Sequence, residues 1–66
     1  MTLFKMISPD GNDYTITLDG QDSYIMEMVD HPGEHYIYMN THEMMYSLVN
    51  TFQRDGWMIE DHRYSL

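Results

Sequence analysis

Residues 35–56 read HYIYMNTHEMMYSLVNTFQRDG, and the hydrophobic period changes inside this stretch. In HYIYM, aromatic and aliphatic side chains alternate, which is typical of a β-strand. After Asn40 the apolar residues follow the i, i+3, i+4, i+7 spacing of an amphipathic helix; they are Met45, Leu48, Val49 and Phe52. Asn40, with Glu43 three residues later, predicts a capping box, and Gly56 suits the position after the last turn. The stretch therefore predicts a strand followed by one helix over about residues 41–55.

Three further strands are predicted before this stretch and one after it. They cover residues 3–7, 14–18, 24–29 and 57–60, and turn sequences with Pro, Gly or Asp separate them. The order β-β-β-β-α-β is typical of an α+β fold and not of a parallel sheet. We therefore expect a single domain over residues 1–66, in which the helix packs on one face of an antiparallel sheet of about five strands.

The same patterns predict a core and an open surface. The apolar side of the helix is expected to pack on the second and last strands, at Tyr14, Ile16, Leu18, Trp57 and Ile59. One helix covers only one face of a sheet, so the other face is expected to be partly open. Its candidates are Tyr36, Tyr38 and some of the eight Met residues, which can form adaptable binding surfaces. An open face of this kind favours a homodimer or a bound partner.

Charge is the most informative feature for function. The 66 residues include 11 Asp and Glu but only three Lys and Arg, and the formal net charge is -8. Affinity for phosphate backbones comes mainly from Lys and Arg, so Lys5, Arg54 and Arg63 are too few for direct nucleic-acid binding. A strongly negative protein instead attracts basic surfaces, including the grooves in which other proteins hold nucleic acid.

One short motif has the spacing of a metal site. Residues 31–35, HPGEH, match the H-x-x-E-H pattern of some zinc peptidases. That pattern needs a helix, which Pro32 and Gly33 exclude. A loop site would use imidazole and carboxylate ligands from His31, Glu34 and His35, with His42 as a further candidate. Surface His residues in a small acidic protein are more often only solvated, so we predict no bound metal.

Signatures of catalysis are also absent from the sequence. The Asp-rich turns around Asp10–Asp13 and Asp19–Asp22 lack the layout of a calcium-binding loop. There is no Gly-rich phosphate loop, nucleotide fingerprint or nucleophile elbow. We predict no cofactor and no enzymatic activity.

Compartment is indicated only indirectly. The chain has no Cys, which excludes disulfides and fits a cytoplasmic protein. No basic segment followed by an apolar segment marks a signal peptide, and the apolar runs are too short to span a bilayer. We expect no membrane partner and a cytoplasmic location, in a host cytoplasm if the protein comes from a phage.

Two functions fit these observations. The first is a small acidic inhibitor whose carboxylates occupy the nucleic-acid-binding surface of a protein partner. In size, acidity, lack of Cys and lack of a catalytic motif, the chain resembles small phage-encoded proteins that block host defence. These are anti-restriction proteins, anti-CRISPR proteins and uracil-DNA glycosylase inhibitors, and the resemblance implies a DNA mimic. The predicted partner-binding residues are Asp10, Asp13, Asp19, Asp22, Glu27, Asp30, Glu34, Tyr36 and Tyr38.

The second function is a structural or adaptor domain. It would dimerise or bind a peptide through the open sheet face, and its negative charge would serve solubility. A row of carboxylates on one side of the molecule would favour the inhibitor, whereas an even scatter would favour the adaptor.

Overall fold

The computed structural model describes residues 1–34 and 36–63. Within them the chain forms five strands and one helix: β1 (Thr2–Ile7), β2 (Asp13–Leu18), β3 (Tyr24–Met28), β4 (Tyr36–Met39), α1 (His42–Arg54) and β5 (Met58–Asp61). The strands form one antiparallel sheet with the order β4-β3-β2-β1-β5. The predicted α+β fold with the order β-β-β-β-α-β is therefore confirmed. The predicted start of the fourth strand at His35 lies outside the described residues.

The sheet has one buried and one exposed face because apolar residues recur at every second strand position. On the buried face, Phe4 pairs with Ile16 and Ile16 pairs with Met26. The core of the described residues consists of Phe4, Met6, Ile16, Tyr24, Met26, Met39, Met45 and Val49. Half of these side chains are Met, so Met fills the centre of this small core.

Leu18 was expected in the core, and this expectation is wrong. Its side chain is 43% exposed because it lies at the last position of β2, beside the β2–β3 turn. Tyr14, Trp57 and Ile59 are partly buried and pack against the core as predicted. The Trp57 ring contacts the rings of Tyr14 and Phe52, with centroid distances of 5.1 and 4.4 Å.

The helix begins one residue later than its sequence predicts. Thr41 is the N-cap, and its Oγ1 accepts a hydrogen bond from the Met44 backbone N–H over 3.1 Å. Thr41 has an extended backbone, so Asn40 lies before the cap and Glu43 is only the second helical residue. The predicted capping box between Asn40 and Glu43 therefore does not form. The helix ends at Arg54, and Gly56 follows with a φ of 95°, a value that favours Gly.

The predicted apolar side of the helix is confirmed. Met45 and Val49 are buried, and Leu48 and Phe52 are partly buried against the same core. α1 contacts both β4 and β5, the two edge strands of the sheet, so it crosses the sheet obliquely. No helix among the described residues is long and apolar enough to cross a membrane.

Candidate binding surfaces

The sheet face opposite the helix is open. On this face, strand register places Glu27 of β3 between Thr15 of β2 and Tyr36 of β4. In the same way, Ile25 lies between Thr17 and Tyr38. Tyr36 and Tyr38 are 58% and 50% exposed. Three predicted partner-binding residues, Glu27, Tyr36 and Tyr38, are therefore neighbours on one surface. The Glu27 carboxylate also accepts a hydrogen bond from the Gly33 backbone N–H over 2.9 Å, which ties the β3–β4 loop to this face.

Five carboxylates lie at one end of the sheet, termed the acidic end; they are Asp10, Asp13, Asp30, Glu34 and Asp55. The β1–β2 turn and the β3–β4 loop both reach this end because β1 to β4 form an antiparallel meander. The α1–β5 connection also reaches it because Met58, at the start of β5, pairs with Ile7, at the end of β1. The Val29 N–H donates to the Asp13 carbonyl over 2.9 Å and holds the β3–β4 loop beside the first turn.

The acidic end extends across the whole width of the sheet. Adjacent strands lie about 4.8 Å apart, so five strands extend over about 19 Å. The basic side chains among the described residues of these segments are His31 and Arg54. The His31 Nδ1 lies 3.2 Å from a Glu34 carboxylate oxygen. Arg54 is the last residue of α1 and is exposed.

The remaining predicted carboxylates lie elsewhere. Asp19 and Asp22 are in the β2–β3 turn, at the opposite end of the sheet, where α1 begins. There the His42 Nε2 lies 3.4 Å from the Asp22 carboxylate, and the His42 Nδ1 is hydrogen-bonded to the Tyr24 hydroxyl. Burial, together with the charge of Asp22, raises the pKa of the Tyr24 phenol. Because Tyr24 is buried and stays protonated, this chain of contacts anchors the helix start on β3 and offers no nucleophile.

Most of the negative charge is not neutralised by Lys or Arg. Among residues 1–34 and 36–63, Arg63 with Asp61 is the only ion pair that involves Lys or Arg. Nine of the eleven carboxylates belong to exposed residues, and Asp13 and Glu27 are partly exposed. The unneutralised carboxylates therefore produce a negative potential around the protein.

Sequence reasoning missed the clamp that Arg63 forms beside β5. Its guanidinium donates to both Asp61 carboxylate oxygens and to the Tyr46 hydroxyl, the last over 2.6 Å. It also lies 4.9 Å from the centre of the Phe4 ring. The hydrogen bonds from Arg63 lower the pKa of the Asp61 carboxyl to about 2. Arg63 follows Asp61 by only two residues, but nothing local indicates the contact with Tyr46.

Sequence reasoning also missed an apolar groove between β4 and α1, termed the β4–α1 groove. Its volume is about 540 Å³, and Ile37, Met39, Met44, Leu48 and Phe52 form its apolar lining. A smaller depression of about 360 Å³ lies on the other side of Ile37 and is lined by Glu34, Tyr36 and Met26 among others. These side chains resemble ordinary core residues in the sequence, so only their placement beside an edge strand identifies the groove.

The His residues are not gathered into a metal centre in the described part of the chain. No group of three or more His, Asp or Glu side chains there is arranged to hold a metal ion. His31 lies at the acidic end, whereas His42 lies at the opposite end. His35 is outside the described residues.

Comparison with known proteins adds no relative. No protein-family model, no curated protein and no solved structure matches this chain.

Proposed function

We propose that this protein acts by binding, without turnover, to the basic surface of a nucleic-acid-binding protein or enzyme. The observation that carries the proposal is the formal net charge of -8, with five of the eleven carboxylates at the acidic end. The sheet fixes the ends of the turns and loops that carry these carboxylates, which reduces the entropy lost on association.

The partner class follows from this charge. A basic groove that holds nucleic acid would attract the acidic end, and the occupied groove could no longer bind its own substrate. The protein would then act as a DNA mimic and an inhibitor of the anti-restriction or anti-CRISPR type. The proposed location is the cytoplasm, because the absence of Cys fits a reducing compartment.

Binding to purified enzymes tests the proposal. A suitable panel contains a restriction endonuclease, an RNA-guided nuclease and a uracil-DNA glycosylase, with duplex DNA as competitor. The expected result is that the protein binds at least one enzyme and that DNA competes. Electrostatic steering also predicts that the association rate falls about tenfold or more between roughly 50 and 500 mM NaCl.

A matched pair of variants locates the binding surface. Asp10→Asn with Asp30→Asn removes two charges from the acidic end, whereas Asp19→Asn with Asp22→Asn removes two from the opposite end. The first variant is expected to slow association roughly three- to tenfold, and the second is expected to have a smaller effect. Circular dichroism checks that both remain folded. Equal slowing by both variants would refute the acidic end as the contact surface, and an association rate insensitive to salt would refute the mimic.

The adaptor function is kept as a second candidate because of the open sheet face. Two exposed Tyr side chains on that face, Tyr36 and Tyr38, are typical of the aromatic anchors at protein interfaces. The adaptor would be favoured if a partner binds equally well at high and low salt and if this binding is lost in the variants Tyr36→Ala or Tyr38→Ala.

A further inference from the structure

The outer edge of β4 has no strand partner among the described residues, because β4 pairs only with β3. Its sequence, YIYM, contains none of the Lys, Pro or bulge features that normally prevent strand addition. Tyr36, Ile37 and Tyr38 are all exposed.

The β4–α1 groove lies where the side chains of an added strand would go. Ile37 and Met39 point to the helix side of the sheet, as shown by their pairing with Met26 and Tyr24. Alternate side chains of a strand added beside β4 would lie on that same side. They would contact Ile37 from one direction and Met44 and Leu48 of α1 from the other.

Charge decides which strand fits. Glu43 lines the groove near the start of α1, and Glu34 lines the adjoining depression beyond Ile37. Among the described residues, neither lining contains Lys or Arg. A second copy of this chain would bring the same carboxylates and a further net charge of -8 against them. A strand with cationic residues at its ends would instead be attracted.

We infer that the β4–α1 groove binds an extended peptide segment of a protein partner, with alternating apolar residues flanked by Lys or Arg. The segment adds to β4 as a sixth strand, so main-chain hydrogen bonds provide affinity and the groove provides selectivity for alternate apolar side chains. This groove lies beside α1, and the peptide site shares only Glu34 with the acidic end, so the inference does not require the proposed function.

Synthetic peptides test the mode of binding by fluorescence anisotropy. The probe is a labelled KLTITVK peptide, whose Leu, Ile and Val would enter the groove. In KLPIPVK, Pro replaces both Thr, which removes two N–H donors and fixes φ away from strand values. In ELTITVE, the cationic ends are reversed. The expected result is binding of KLTITVK and at least about tenfold weaker binding of both other peptides.

Protein variants test the place of binding. Met44→Asp puts a charge into the groove at a side chain that is 47% exposed, so the fold is expected to tolerate it. Met58→Asp makes the same change on β5, at a side chain that is 65% exposed. Met44→Asp is expected to weaken KLTITVK binding about tenfold or more, and Met58→Asp less than about twofold. Glu43→Lys is expected to weaken the binding of KLTITVK and to strengthen the binding of ELTITVE.

Any of the following outcomes would overturn the inference. The first is equal binding of KLTITVK and KLPIPVK, which would exclude strand addition. The second is equal loss with Met44→Asp and Met58→Asp, or no binding of KLTITVK at all. The third is a dimer in analytical ultracentrifugation that Met44→Asp dissociates, which would identify a second copy as the occupant. The variant Asp10→Asn with Asp30→Asn is expected to leave peptide binding nearly unchanged. Failure of the acidic end as a partner-binding surface and failure of the groove as a peptide-binding site therefore give different results.

Discussion

The two edge strands of this sheet differ in how their outer sides are protected. β4 has the uncharged sequence YIYM, and three of its four residues are exposed. β5 has the sequence MIED, and Arg63 binds the carboxylate of its last residue, Asp61. Charged side chains at an edge oppose the addition of another strand. The chain is therefore protected at one edge and open at the other.

The edges also differ in how they are attached to the rest of the protein. β4 is fixed by Met39, which is 2% exposed in the core and lies opposite Tyr24. β5 has no fully buried side chain, and Ile59 is only partly buried. Its attachment relies more on the polar and ring contacts of Arg63.

The largest effect is expected from shortening the core side chain of β4. Met39→Ala should lower the free energy of unfolding by about 2 to 5 kcal/mol, because it leaves a cavity under α1. Met44→Ala, on the exposed groove wall, is the matched control and should cost less than about 1 kcal/mol. Urea unfolding followed by circular dichroism measures both. Equal losses would show that β4 is not anchored through Met39.

The clamp on the other edge is expected to contribute less. Arg63→Ala removes the hydrogen bond to Tyr46 and the contact with the Phe4 ring. The expected loss is about 1 to 2 kcal/mol of unfolding free energy, since partly exposed cation–π contacts and hydrogen bonds are individually weak. Arg54→Ala, at the exposed end of α1, should change it by less than about 0.5 kcal/mol. If the two variants are equally stable, the contacts of Arg63 do not help to hold β5.

The sequence predicted the elements whose hydrophobic period is regular. The alternation of Tyr14, Ile16 and Leu18 identified β2, and the spacing of Met45 to Phe52 identified α1. The N-cap was misplaced because Asn40 and Thr41 are both good caps. The choice between them depends on where the chain leaves the core, and that is a long-range property.

The candidate surfaces were less predictable for a similar reason. A meander alone puts the β1–β2 turn and the β3–β4 loop at one end of the sheet. Asp55 joins them only because β5 pairs with β1, which lies at the other end of the chain. The β4–α1 groove was missed because Met44 and Leu48 have the same apolar character as the buried Met45. Local sequence does not distinguish a groove wall from a core.

The protected edge should also respond to acid. Because the pKa of Asp61 is about 2, below the usual value of 3.8 for this carboxyl, its ionised form stabilises the fold. This contribution is complete above about pH 4 and is lost as the pH falls towards 2. The change of unfolding free energy between about pH 5 and 2 should therefore be smaller in Asp61→Asn than in the wild type. Glu60→Gln, which removes the neighbouring carboxylate, should retain the wild-type change of unfolding free energy with pH. An equal reduction of this change in both variants would contradict the assignment to Asp61.

The smallest effect on stability, less than about 1 kcal/mol, is expected from adding a charge at the open edge. Ile37→Lys puts on β4 the kind of side chain that blocks strand addition, and Met58→Lys makes the equivalent change on β5. Both variants reduce the net negative charge by one unit, which by itself would promote association. Slower aggregation of Ile37→Lys, measured by light scattering at high salt, would therefore report blocking of the β4 edge and not a general charge effect. Met58→Lys should aggregate at the wild-type rate or faster, and slower aggregation of both variants would mean that the two edges do not differ.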